Sequence, residues 1–376
     1  MPSKNLLLYA GSETDADILY AARIFIPDPF LYFRVKDQAY LVLSDLELDR
    51  ASREAPHCQI LSLSQINLEI AHNGNKAPST ADVIVHLAKK WRLKAFTTPP
   101  QFPFGLATQV AKRGVKLTPT KGALFPEREI KTANEVTFIK QAIRSAERGM
   151  QAGVEALRES KSGKNGQLKL GTGTLTSERL RAIIDTAVIQ SGGLAMNTIV
   201  AGGIQACDPH ERGNGPLKAN QPIILDIFPR SQSTGFFGDI TRTVVKGKAT
   251  DAMHRAYHAV SGAHKLAAKR STHGASGIAI HREVVDYFEK QGFKTGVAKG
   301  RRVGFFHGTG HGLGLEIHEY PRIGATSTSK LAEGNVMTIE PGLYYPEIGG
   351  FRIEDDFLIT KARPKMLSRF PQQLEV

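Results

Sequence analysis

Over the first third of the chain, short apolar runs of strand length alternate with stretches whose apolar residues recur at helical spacing. Asn5–Tyr9 and Ala39–Leu43 are such runs, each bounded by polar residues. Residues 80–92 predict a helix capped by Ser79 or Thr80, and Lys94–Thr98 predicts a strand stopped by Pro99 and Pro100. This pattern describes an α/β domain over residues 1–125, and no catalytic constellation stands out inside it. Beyond it, residues 126–159 form the clearest helix: Pro126 opens the region, and Val136, Ile139, Ile143 and Met150 make one apolar face over many charges. Residues 161–176, rich in Gly, Lys, Ser and Thr, read as a loop. Three more helices are predicted at Ser177–Ile189, Thr250–Lys269 and Ile278–Gln291, the first ending at Ser191-Gly192-Gly193. Strand-like runs separate them at Thr198–Val200, Ile223–Phe228, Ile240–Val245, Val336–Ile339 and Phe351–Thr360. A second domain therefore covers residues 126–376.

Composition narrows the class. The chain has 376 residues, 41% hydrophobic and 23% charged, as expected of a soluble two-domain enzyme. No apolar run approaches the roughly 18 residues of a membrane helix, and the stretch Met1–Ser12 lacks the apolar region of an export signal. Two cysteines, Cys58 and Cys207, exclude a disulfide framework and fit a reducing, cytoplasmic compartment. The net charge is +13, which raises the question of a nucleic-acid partner. The excess is dispersed: residues 1–128 hold 16 basic and 12 acidic residues, and residues 129–376 hold 33 and 24. Without a basic tail or an aromatic-interleaved stripe, a solvated basic surface is the better reading, and no nucleic acid is expected.

The chemistry lies where acidic and imidazole side chains meet the ends of apolar strands. Buried carboxylates need a partner charge or a metal. Asp226 follows Pro222-Ile223-Ile224-Leu225, and Asp239 opens Asp239-Ile240-Thr241-Arg242-Thr243 after a glycine-bounded turn, so the two can face each other across a hairpin. His311 sits in the glycine-rich run His307–Gly314, and Glu340 ends an apolar strand at Pro341-Gly342. Period two puts Arg352, Glu354 and Asp356 on one face of a strand. A lone aspartate at a strand end is usually a cap or a surface charge. Four carboxylates and an imidazole together suit two divalent ions such as Mn²⁺, Co²⁺, Zn²⁺ or Fe²⁺. Two such ions about 3.5–4 Å apart can polarise a carbonyl and activate water.

The segments Gly238-Asp239-Ile240-Thr241-Arg242-Thr243, Gly310-His311-Gly312-Leu313-Gly314, His318-Glu319, Ile339-Glu340-Pro341-Gly342 and Arg352-Ile353-Glu354-Asp355 resemble the pita-bread metallopeptidases. That family includes Xaa-Pro aminopeptidase (aminopeptidase P), Xaa-Pro dipeptidase (prolidase), methionine aminopeptidase and the metal-free relative creatinase. The resemblance runs from about residue 129 onward, and the first domain matches creatinase and prolidase in size and position. It implies an α+β, pita-bread catalytic domain preceded by a smaller creatinase-like α/β domain. It also implies a metal set of Asp226, Asp239, His311, Glu340 and Glu354, with Mn²⁺ the first choice and Co²⁺ or Zn²⁺ alternatives. His210 and His318 match substrate-side histidines that move protons or steady the tetrahedral intermediate, and Glu340 is placed to accept a proton. His307 is expected to line the same cavity, and Arg352 to hold an acidic ligand in place. The implied substrate is a di- or oligopeptide with proline second, and the implied assembly is a homodimer.

Departures bear on specificity. Relatives usually read Asp-x-Gly where this chain has Asp226-Ile227-Phe228-Pro229-Arg230, and twelve residues separate Asp226 from Asp239. Phe236 or Phe237 stands where many relatives have tyrosine. The chemistry calls for a dipeptidase if a cation meets the free carboxylate of proline, and Arg230 or the segment Lys299-Gly300-Arg301-Arg302 can supply one. An aminopeptidase acting on longer peptides is the alternative, and a non-catalytic binder with the same fold a more distant one. His254 and His258 stand four apart on a helix, but Arg255 occupies the place of a zinc protease's glutamate. The glycines of 308–314 lack the βαβ setting of a dinucleotide site.

Overall fold

The computed structural model describes residues 5–72 and 74–376. The first four residues of the stretch read for an export signal lie outside the described residues. The chain separates into two compact units, Met1–Pro126 and Glu127–Val376.

The first unit is built on a six-stranded mixed sheet, ordered Cys58–Ser62, Gln38–Leu43, Phe30–Val35, Leu6–Ala10, Ala95–Thr98, Lys116–Pro119. Its strands read as unbroken apolar runs because both faces are covered. Leu6, Leu8, Tyr32, Leu41 and Leu43 enter one core, while Leu7, Leu31, Phe33 and Val42 enter the other. Helix Thr80–Lys90 starts at a capping box, in which Ser79 and Asp82 each satisfy the other's backbone N–H.

The second unit mixes helices with antiparallel sheet, the arrangement the motifs imply. Strands Ile199–Gly202, Pro222–Ile227 and Ile240–Val245 form one sheet. Strands Glu319–Ile323, Gly310–Gly312, Val336–Ile339, Asp355–Leu358 and Lys365–Met366 form another. A bridge between Thr241 and Glu354 joins the two. Period two then divides each strand. Ile223, Leu225, Ile227, Ile240 and Val244 pack against helices Ala133–Glu159 and Ser177–Gln190. Met337, Ile339 and Phe357 pack against helices Asp251–Arg270 and Gly277–Lys290. With the helices taking one face, the chemistry-bearing residues share the other.

Several boundaries differ from the sequence pattern for local reasons. The long helix begins at Ala133 rather than at Pro126, because Thr132 and Glu135 form a capping box there, and Pro126–Glu129 is a separate 3₁₀ turn. The segment read as a loop at 161–176 contains a small three-stranded sheet. The run Phe351–Thr360 is two strands, Gly349–Arg352 and Asp355–Leu358, which break at Ile353–Glu354 and pair in different sheets.

One close approach fixes the segment that carries Asp239. A Cβ on Gly238 would lie 2.3 Å from the backbone nitrogen of Ile143 in the long helix. Gly238→Ala is therefore expected to push the segment off the helix and destabilise the unit by about 1–3 kcal/mol. Urea unfolding measures this, and a midpoint equal to the parent protein's would show that the contact relaxes freely.

Candidate metal centre

Asp226 lies near the end of strand Pro222–Ile227, on the face turned away from the helices. The register places it opposite Thr241, so Asp226 and Asp239 sit diagonally across the strand pair rather than directly opposed. The Asp239 backbone N–H donates to Asp356 Oδ2 at 3.1 Å. On strand Gly310–Gly312 the His311 backbone N–H donates to Thr338 Oγ1 at 3.2 Å. The His311 Nδ1 lies 3.1 Å from the Gly312 carbonyl, the contact of an Nδ1–H donor that leaves Nε2 free as a ligand atom. That Nε2 stands 3.6 Å from Glu340 Oε1 and 3.9 Å from Asp239 Oδ2. Glu354 is held by its neighbour across the bridge: Thr241 Oγ1 donates to Glu354 Oε2 at 2.7 Å.

Ligand atoms of Asp239, His311 and Glu354 all lie within 4.8 Å of one another. Asp226 Oδ1, Asp239 Oδ1 and Glu354 Oε1 are buried and have no hydrogen-bond partner. Buried carboxylate oxygens are rarely left so. Orphaned oxygens on Asp239 and Glu354 close to a free imidazole nitrogen, with a third on Asp226 in the same cavity, are a donor set that fits divalent cations. The electrostatics agree. Burial, then the charges of Glu354 and Asp226, push the Asp239 carboxyl well above its usual range. Glu340 is likewise raised by burial and Glu354, and burial and Asp226 raise Glu354 to about 7. Burial lowers His311 to about 3, so its ring is neutral and available as a ligand.

These groups open into a cavity of about 980 Å³ that is also lined by His210, His307, His318 and Arg352. The five expected metal ligands, the three expected substrate-side histidines and Arg352 thus line one cavity, whereas Asp356 does not. Arg352 donates to Asp226 Oδ2 at 2.6 Å and to the Tyr344 hydroxyl at 3.0 Å, and His307 Nε2 lies 2.8 Å from that hydroxyl. His307 Nδ1 contacts the Gly308 carbonyl at 2.8 Å, so a consistent direction runs Arg352 to Tyr344 to His307. Burial, then Arg352, depresses His307 to about 3 and keeps it neutral. The His318 ring stands edge-on to His311, centroids 4.4 Å apart, and desolvation followed by the Arg322 charge lowers its pKa.

Several participants carry no local sequence signal. Tyr344 and Thr241 are ordinary strand residues until the sheet brings them to Arg352 and Glu354. Of the cations considered for substrate binding, Arg302 lines the cavity, whereas Arg230, Lys299 and Arg301 do not; Arg322, which the sequence did not single out, lines it as well. The Arg230 Nε donates to the Gly235 carbonyl within its own loop, and Arg301 is exposed on the Gly296–Val303 hairpin. Arg322 belongs to strand Glu319–Ile323, which only the sheet order sets beside the His311 strand.

Comparison with known proteins places the chain in a family. The model of metallopeptidase family M24 matches residues 137–361. A protein named "Putative dipeptidase YkvY" from Bacillus subtilis (strain 168) is 31% identical over 267 residues, covering 70% of this chain and 67% of its own length. A protein named "Xaa-Pro dipeptidase" from Pyrococcus horikoshii is 27% identical over 287 residues, covering 75% of each. Among solved structures, a Xaa-Pro dipeptidase from Bacillus anthracis aligns with TM-score 0.83 at 22% identity, over 99% of this chain and 95% of that one. An X-Pro aminopeptidase from Thermotoga maritima MSB8 aligns with TM-score 0.82 at 21% identity, over 99% and 97%. At that identity the two structures establish the fold, the pita-bread α+β architecture.

The raised carboxyl pKa values give metal-free protein a distinctive pH dependence. Above about pH 7 His307 and His311 are neutral both folded and unfolded, so they add no slope. Glu354, raised to about 7 by burial and the Asp226 charge, is still partly protonated just above that pH in the fold, and Asp239 and Glu340 are shifted in the same direction, whereas the unfolded carboxyls have lost their protons. Stability of the metal-free protein is therefore expected to fall with rising pH, by up to about 1.4 kcal/mol per pH unit for each retained proton. Protein loaded with divalent metal is expected to lack that slope. Calorimetry of both forms between about pH 7 and 8.5 tests this; parallel curves would mean that the carboxylates do not share a cation site.

Proposed function

The chain belongs to metallopeptidase family M24, and from that premise we propose that it is a Xaa-Pro dipeptidase, hydrolysing the bond between an N-terminal residue and a C-terminal proline. Asp226, Asp239, His311, Glu340 and Glu354 are the residues assigned to hold two divalent ions, with Mn²⁺ the first choice and Co²⁺ or Zn²⁺ the alternatives. When bound, such ions polarise the scissile carbonyl and make water a nucleophile near neutral pH. The chain's own residues do the rest. Glu340, less buried than the other carboxylates, takes the proton of the attacking water. His318 donates a hydrogen bond to the carbonyl oxygen as it gains charge. His210, exposed at the cavity wall, carries a proton to the proline nitrogen as the C–N bond breaks. Arg352 holds Asp226, and His307, neutral and pinned by Tyr344, forms a rigid wall.

The observation that carries the dipeptide reading is Arg322. It lines the cavity, donates to the His318 carbonyl at 3.3 Å, and among the described residues no carboxylate forms an ion pair with it. Its charge is felt at Glu340, His311 and His318. A free proline carboxylate is the group that would neutralise it; a longer peptide presents an uncharged amide there. Two relatives carry dipeptidase names, which supports the same reading. An aminopeptidase acting on longer peptides is the second reading, favoured by the cavity's volume, which exceeds the needs of a dipeptide. The orphaned ligand oxygens argue against a non-catalytic binder. By family resemblance the assembly is a homodimer, and the scarcity of cysteine fits a cytoplasmic compartment. Among the described residues no helix is long and apolar enough to cross a membrane.

Purified protein is expected to bind close to two equivalents of metal and to cleave Xaa-Pro faster than Xaa-Pro-Yaa in Mn²⁺. Arg322→Ala should raise the KM for the dipeptide about 10- to 100-fold, the loss of one charge-assisted hydrogen-bonded pair, and leave the tripeptide nearly unaffected. Faster tripeptide cleavage with no selective effect of the substitution would establish the aminopeptidase instead.

A further inference from the structure

The order of strands around the site gives the cavity two distinguishable ends. Arg322 lies on the strand next to His311, followed by the Val336–Ile339 strand that leads to Glu340 and the Asp355–Leu358 strand that follows Glu354. The bridge to Thr241 then leads to the Ile240–Val245 strand, the Asp226 strand and the Ile199 strand. The ligand cluster is therefore interposed between Arg322 and the far wall, where Ile199 and Phe228 line the same cavity. A dipeptide with its proline carboxylate at Arg322 and its scissile bond at the ligand cluster extends its N-terminal residue toward that wall.

Phe228 stands two residues beyond Asp226, and of residues 227–238 it alone lines the cavity. The remainder of the segment folds back on itself and away. Ser231 N–H donates to the Phe236 carbonyl, Arg230 bridges Phe237, and the Phe236 ring packs on Phe138 of the long helix. On either side of Phe228 the backbone is fixed: Ile227 is buried and paired with Ile240, and the Pro229 carbonyl accepts the Gly238 N–H at 3.1 Å. The result is a half-buried aromatic ring on a rigid base that lines the cavity, which Ile199, paired with Asp226 on the neighbouring strand, lines as a second apolar surface.

We propose that Phe228 is the specificity-determining residue for the side chain preceding proline, selecting larger apolar residues over small or charged ones. The inference rests on the dipeptidase reading above. Each methylene moved from water onto such a surface is worth about a factor of four in transition-state binding, so a leucine-sized side chain gains at least ten-fold over glycine. Burying a carboxylate against the ring carries no such gain and a desolvation cost.

The test compares kcat/KM for Leu-Pro and Gly-Pro in Mn²⁺-loaded wild type, Phe228→Leu and Phe228→Ala. The ratio of the two substrates is independent of the fraction of active protein. Wild type is expected to favour Leu-Pro; the preference should persist largely in Phe228→Leu and fall about ten-fold in Phe228→Ala, with Gly-Pro changing little. A ratio unchanged in both variants, or an equal loss on both peptides, overturns the role of Phe228 and leaves the dipeptidase reading intact. Absence of hydrolysis of either peptide by wild type overturns that reading and the inference with it.

Discussion

The site depends on one constraint: five carboxyl groups, those of Asp226, Asp239, Glu340, Glu354 and Asp356, are crowded into a largely buried space with too few cations to balance them. Among the described residues a single guanidinium, that of Arg352, forms an ion pair with the group. His311 cannot help, because burial keeps it neutral. Bringing such charges together out of water is unfavourable unless they take up protons or a cation. The raised pKa values of Asp239, Glu340, Glu354 and Asp356 express the first outcome. The orphaned oxygens of Asp226, Asp239 and Glu354 provide for the second. A fold that holds these groups together against their repulsion does so with binding energy a metal can return.

Rigidity on the side away from the cavity makes that possible. Arg242, 1% exposed, directs its donors to the carbonyls of Thr241 and Glu354, to Asp355 Oδ1 and to the carbonyls of Phe370 and Pro371. Asp355 in turn accepts Ser368 Oγ at 2.7 Å and Gln372 Nε2 at 3.1 Å. Two strands bearing ligands are thereby tied to each other and to the segment 368–372. Glu319 is similarly fixed: burial disfavours its charge, but Lys131 and Arg128 outweigh that and hold it ionised, anchoring the loop that presents His318. These buried ion pairs satisfy one another with good geometry, the condition under which such pairs order a structure.

Much of this was legible in the sequence because it is periodic or local. Asp226 and Glu340 stand out as polar ends of apolar strands, and His311 stands among glycines that allow close approach. The helices Thr80–Lys90 and Ala133–Glu159 declare themselves through Ser79–Asp82 and Thr132–Glu135. What was not legible depends on register. Whether Asp226 opposes Asp239 or Thr241 turns on where the hairpin pairs, a slip of two residues that keeps every side chain on its face and that the apolar pattern of Pro222–Val245 therefore does not decide. The break at Ile353–Glu354 hid in a run that keeps period two through it, because Arg352, Glu354 and Asp356 all stay buried. The substrate cation was sought in the basic segment 299–302 and in the altered loop; Arg302 of that segment does line the cavity, but Arg322 joins it by strand order alone.

The same division separates chemistry from selectivity within the cavity. Groups proposed to hold metal come from paired strands or their ends, where the sheet sets each position and a substitution disturbs its neighbours. The groups proposed to choose the substrate stand at the margins. Phe228 begins a connection and Arg322 sits on the outermost strand of its sheet, positions where a side chain can change with little effect on the ligand geometry. Changes in residues 228–238 alter the wall the substrate meets while the strand pairing of Ile227 with Ile240 keeps the aspartates in register. Catalytic competence and substrate preference can thus vary independently in this fold, because different hydrogen-bonding environments carry them.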